Sequence, residues 1–186
     1  MKYLLFIFIF LLSACVVMPE EYFQPKAQGA IVERESCLGK VGVDNQLVYE
    51  LEGVKIELVV REHKGKGATY LGIAFKIFDD GNVIWPEQVI HGYVDGTSIN
   101  FMPKEFSRLR VIDGELLTKE YPINSLMAKE SDNEYETYHE SFQLSNELVS
   151  EIKVSKIRLV INGKEHVLSD LTFTKESGVF LYPLNC

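Results

Sequence analysis

Apolar and polar residues alternate with a period of two along much of this chain. In "VKIELVVRE", Val54, Ile56, Leu58 and Val60 are interleaved with Lys55, Glu57, Val59 and Arg61. In "TYLGIAFKIF", Leu71, Ile73, Phe75 and Ile77 form one series, and Tyr70, Gly72, Ala74 and Lys76 form the other. Successive side chains of a strand point to opposite faces, so each run predicts a half-buried β-strand. The stretch between them, "HKGKGA", carries two glycines and two lysines and predicts a hairpin loop. "DDGN" at 79–82 predicts a turn, and "VIWP" a strand that Pro86 ends or confines to an edge. Further strands are predicted at Ile90–Val94, Ser98–Met102, Arg108–Ile112 and Tyr135–Leu144.

The C-terminal third carries the clearest local signal. Asn162-Gly163 lies between two β-type runs in "KIRLVINGKEHVLSDLTF". That dipeptide suits the two positive φ angles of a type I′ turn, so a hairpin is predicted there. A last strand, "GVFLYPL", leads to Cys186. "LSNELVSEIKVS" departs from the two-residue period. Ser145 can cap a helical turn, and Leu148 and Ile152 are four apart, which predicts a short helix near 145–152. Many short strands, frequent turns and almost no helix predict a mainly β protein: an antiparallel β-sandwich, immunoglobulin-like in outline, with a partly closed barrel as the alternative.

The N-terminus follows a different pattern. Lys2 precedes the unbroken apolar run Tyr3–Leu12. Ten residues are too few to span a bilayer, which needs about 20, but they suit the apolar region of an export signal. The run ends in Leu12-Ser13-Ala14-Cys15, a branched aliphatic residue, two small residues and a cysteine. This resembles the lipobox of bacterial lipoproteins. The resemblance covers the first fifteen residues and implies diacylglycerol on the Cys15 thiol, cleavage before Cys15, and acylation of the new amino group. Val16 follows the cysteine where aspartate would favour inner-membrane retention. The resemblance therefore implies the outer membrane in a Gram-negative cell, with the domain in the periplasm.

The organisation read from this is 1–14 signal peptide, 15–30 lipidated tether and 31–186 a single β-rich domain. "VVMPEEYFQPKAQGA" at 16–30 has two prolines, a glycine and no sustained period. Fully extended, such a tether reaches about 45 Å. The full chain has 19 basic and 27 acidic residues, a net charge of −8. Losing Lys2 with the signal makes it −9. So acidic a chain is unsuited to nucleic acid, whose binding rests on Lys and Arg, and gains nothing from anionic headgroups. Lipid must then supply the membrane affinity, and two or more acyl chains suffice for stable anchoring.

Of three cysteines, lipid on Cys15 leaves Cys37 and Cys186. Pairs in exported chains are usually bridged. A Cys37–Cys186 disulfide would close nearly the whole domain, worth about 5 kcal/mol at most.

The sequence carries little recognisable chemistry. His63, His91, His139 and His166 are scattered, with no metal-ligand spacing, and no cofactor motif occurs. "HKGKG" could cradle an anion, but without the strand-loop-helix setting of a phosphate loop it reads as an exposed tip. "ESDNEYETYHESF" at 130–142 groups five acidic residues with Tyr135, Tyr138 and His139. Such groups could grip a sugar or basic peptide, or do acid–base work. As a strand, Tyr135 and His139 share one face and Tyr138 the other, and charges on such an edge also prevent aggregation. No nucleophile elbow is present. The favoured function is a non-catalytic binding or structural module of the envelope, with another envelope protein or a wall polymer as partner. An immunity-type or ligand-binding inhibitor is the alternative, and a hydrolase built from scattered residues comes last.

Overall fold

The structure, a computed structural model, describes residues 16–34, 43–63, 65–78, 81–102, 105–112, 115–122, 126–127 and 135–182. Cys15, Cys37 and Cys186 lie outside them. Sixteen strands follow one another. They are β1 (Val16–Ala27), β2 (Ile31–Arg34), β3 (Asp44–Leu51), β4 (Val54–His63), β5 (Ala68–Phe78), β6 (Asn82–Ile84), β7 (Ile90–Val94) and β8 (Thr97–Phe101). Then come β9 (Glu105–Ile112), β10 (Glu115–Pro122), β11 (Leu126–Met127), β12 (Tyr135–Ser145), β13 (Glu151–Val154), β14 (Ile157–Ile161), β15 (Lys164–Leu168) and β16 (Leu171–Tyr182).

The strands form three antiparallel sheets, in the orders β1-β16-β13-β7-β8, β10-β9-β12-β5-β4-β3-β2 and β11-β6-β14-β15. They pack together as a β-sandwich around one apolar cluster drawn from all three. The two-residue period decides which side chains enter it. On β4 and β5, Val54, Ile56, Leu58, Val60, Leu71, Ile73, Phe75 and Ile77 are all buried. Trp85, Tyr138, Phe75, Phe106 and Phe173 are the largest aromatic side chains closed off in it among the described residues. Phe106 meets Phe75 edge to face at 5.3 Å, a favoured aromatic geometry.

Asn162 and Gly163 have φ of 51° and 79°, and Ile161 pairs with Lys164, so the predicted type I′ hairpin is present. The helix expected near 145–152 is not. Ser145 Oγ accepts a hydrogen bond from Glu147 N at 2.9 Å, and the Glu147 carbonyl accepts one from Thr69 Oγ1 at 3.0 Å. The serine cap closes a bend, and the carbonyl that would continue a helix is engaged by β5. Leu148 is exposed while Ile152 is buried, so the two do not share a packed face.

The stretch read as a tether is, over Val16–Ala27, strand β1, paired along its whole length with β16. Phe23 places a side chain in the core. Pro19 and Pro25 are six residues apart, so their nitrogens face the same side of β1. β1 is an edge strand of its sheet, the setting in which a missing N–H is tolerated.

Candidate functional site

Two features stand out from the sandwich: a depression on the outer face of the seven-stranded sheet, and a ribbon at the N-terminal end. The depression arises from strand register. Gln143 on β12 pairs with Tyr70 on β5, and Tyr70 pairs with Arg61 on β4. One step along, Ser141 pairs with Gly72, and Gly72 with Val59. Odd positions of β4 face away from the core, so Arg61 and His63 are exposed while Val60 is buried. Arg61, Glu62, His63, Lys66, Tyr70 and Ser141 line an open hollow of about 340 Å³. The tip of the β4–β5 hairpin closes one end, held by Lys66 N donating to the His63 carbonyl at 2.9 Å. Gly67, with φ of 59°, supplies the left-handed turn residue.

The hollow is locally cationic on an acidic protein. Arg61 and Lys66 bring positive charge, with His63 beside them. Tyr70 Oη donates to Gln143 Oε1 at 3.4 Å, which orients the phenol across the floor. Packing around its side chain pushes the Arg61 guanidinium down from its ordinary value, although the residue as a whole stays exposed. The Glu62 carboxylate, which also lines the hollow, is paired with Lys175 at 3.0 Å. Sequence reading treated "HKGKG" as a bare tip. Gly72 does not open the hollow, since a Cβ there would stand 3.2 Å from Val59 Cγ1 and 3.8 Å from Ser141 Oγ; the hollow follows from cross-strand register, which no local pattern shows.

Tyr138 and His139 do not converge. Tyr138 is 1% exposed, with its ring edge to face on Tyr121 at 5.3 Å. Tyr138 shares its parity with Leu144, which is also buried, and that apolar phase was available in the sequence. His139 lies on the opposite face, half-buried, with Nε2 closed off and without a hydrogen-bond partner among the described residues. The side chain of Tyr135 lies outside the described part. Cross-strand from His139 is Ser107. Ser107 Oγ donates to Glu120 Oε1 at 3.0 Å and lies 3.5 Å from Glu140 Oε2. Its proton therefore points to carboxylates and not to the imidazole, which is not the hydrogen bonding of an activated serine.

The other histidines stand apart. His91 Nδ1 shares a 2.6 Å contact with Asn100 Oδ1, and His166 lies on β15. Among the described residues no three of His, Cys, Asp and Glu gather to hold a metal. No described helix is long and apolar enough to cross a membrane.

The ribbon is the outer half of the β1–β16 ladder. β13 pairs with β16 over Leu171–Thr174 only, whereas β1 continues with β16 from Lys175 to Tyr182. The ladder ends with Val16 opposite Tyr182, one residue after Cys15.

No protein-family model, curated protein or solved structure matches this chain. The class that the described residues define is an antiparallel β-sandwich whose β1–β16 ladder continues beyond β13.

Proposed function

We propose that this protein is a bacterial envelope lipoprotein, held in the membrane by lipid on Cys15, whose sandwich is a non-catalytic binding or structural module. The observation that supports this reading is Leu12-Ser13-Ala14-Cys15 behind the apolar run Tyr3–Leu12, which resembles a lipobox. Among the described residues β1 begins at Val16, opposite Tyr182, so cleavage before Cys15 would leave the lipidated residue directly preceding that strand in the chain. The partner is another envelope protein or a wall polymer, and an acidic group on it suits the Arg61–Lys66 hollow. With Val16 after the cysteine, the outer membrane is the expected destination in a Gram-negative cell.

Mass analysis of the N-terminal peptide tests the anchor. A diacylglyceryl and N-acyl mass on Cys15, and accumulation of uncut precursor under globomycin, are the expected results. An unmodified Cys15 thiol overturns the reading. For the module, a photo-crosslinking residue at Lys66 should trap one partner in intact envelopes, and the same probe at exposed Val167 should not. Identical products at both positions would remove the hollow from consideration.

A further inference from the structure

The register of the ribbon sorts its residues by polarity. Its four outermost pairs are Val16 with Tyr182, Val17 with Leu181, Met18 with Phe180 and Pro19 with Val179. All eight residues are apolar. The next pairs, Glu20 with Gly178, Glu21 with Ser177 and Tyr22 with Glu176, form an acidic collar. The boundary is sharp and is made by two segments more than 150 positions apart, so neither segment alone displays it.

Where the side chains are described, this apolar end is uncovered. Val179 is 70% exposed and Pro19 is exposed. A two-stranded ribbon is marginal in water by itself, and an exposed apolar strand pair invites a partner. Cys15, the residue next in the chain, indicates which partner: if it carries lipid, the ribbon tip starts at the bilayer surface.

We propose that the ribbon tip, Val16–Pro19 with Val179–Tyr182, enters the boundary between headgroups and acyl chains as a second, non-covalent membrane contact beside the lipid. This rests on the anchored reading above for its orientation, but the contact is testable without the lipid. Four strand residues span roughly 10 Å, which matches the depth to which monotopic elements sit in the interface. Among the described residues β1 is an edge strand and β16 has no second ladder partner past Thr174, and hydrocarbon does not tolerate unpaired backbone groups, so the tip stops where water still reaches. The collar of Glu20, Glu21 and Glu176 sets the same limit. Because the collar is acidic, the contact draws on apolar burial and not on anionic lipid.

The test uses the full mature chain with Cys15→Ser, which has no lipid, and vesicles of phosphatidylcholine alone. The protein should float with the vesicles and remain bound in high salt. Val179→Asp, and separately Val17→Asp, should each lower the partition coefficient by at least about tenfold. Emission from Trp85, which is 1% exposed, should be unchanged and shows that the sandwich is intact. Absence of flotation, or release by salt, overturns the proposal. So does a concentration-dependent dimer that Val179→Asp abolishes without any vesicle binding, which would make the tip a contact between two copies. Failure of lipidation is read separately, from the mass of the native N-terminal peptide.

Discussion

Lys175 on β16 holds both carboxylate oxygens of Glu62 on β4, at 3.0 and 3.2 Å. It also reaches Glu21 on β1 at 3.1 Å. Glu62 is 7% exposed and Lys175 20%, so this ion pair is largely desolvated. It ties two sheets together at the root of the ribbon, beside buried Phe23, to which Lys175 is the ladder partner. Removing one member strands a buried charge. Lys175→Met should therefore cost about 3 kcal/mol, and Glu21→Gln, at a half-exposed partner, less than about 1 kcal/mol. Urea denaturation of the two variants reads the difference directly, and equal midpoints would show that the clamp is not the source of rigidity.

The same clamp sets an alkaline limit. Burial by itself would lower the pKa of Lys175, but the hydrogen bonds and charges of Glu62 and Glu21 outweigh it and leave the ammonium above its ordinary value. A lysine raised by folding contributes stability that is complete below the unfolded pKa of about 10.4 and is lost as pH rises through the folded one. The melting temperature of the native chain should accordingly fall in strongly alkaline buffer, and that of Lys175→Met should fall less over the same window.

Gly92 on β7 pairs with Val154 on β13, with the neighbouring backbone close against it. A Cβ there would collide with the Lys153 carbonyl oxygen and stand 3.2 Å from its carbon and 3.3 Å from Val154 Cα. All of these are backbone atoms, so no side-chain rotation relieves the clash. Gly92→Ala should destabilise by about 3 kcal/mol or more, seen as a lower denaturation midpoint. Gly96→Ala serves as the contrast, since no atom lies within 4 Å of its Cβ position, although its φ of 80° adds strain.

Trp85 is the single tryptophan and is closed off in the core. Its emission should be blue-shifted in the native protein and move red in one transition on unfolding. Trp85→Ala should cost about 4 kcal/mol, and a red-shifted native spectrum would contradict the packing.

The Cys37–Cys186 bridge expected from cysteine parity has its own readout. Intact-mass analysis should show a pair of hydrogens gained on reduction, and Cys37→Ser with Cys186→Ser should lower the melting temperature without altering anchoring. Alkylation of both thiols in the unreduced native protein would refute it.

Local alternation was enough to settle β4 and β5, because a strand buried on one face leaves its period in the sequence. The Asn162-Gly163 hairpin was equally legible, since few residues accept two consecutive positive φ angles. The resemblance to a lipobox likewise rests on contiguous residues, 12–15. What only the tertiary structure decided depends on partners far apart in the chain. Val16–Ala27 has two prolines and no clean period, yet it is a strand, because β16 supplies the complementary ladder and an edge strand tolerates the prolines. The bend at 145–150 replaced a helix because Thr69, on another strand, claimed the Glu147 carbonyl. Tyr138 and His139 parted because the core-facing phase of β12 carries Tyr138 inward with Leu144. The hollow at Arg61 exists through register across β4, β5 and β12. In each case the deciding term is a hydrogen bond, ion pair or buried contact between distant segments, and a local pattern carries no record of which segment will answer it.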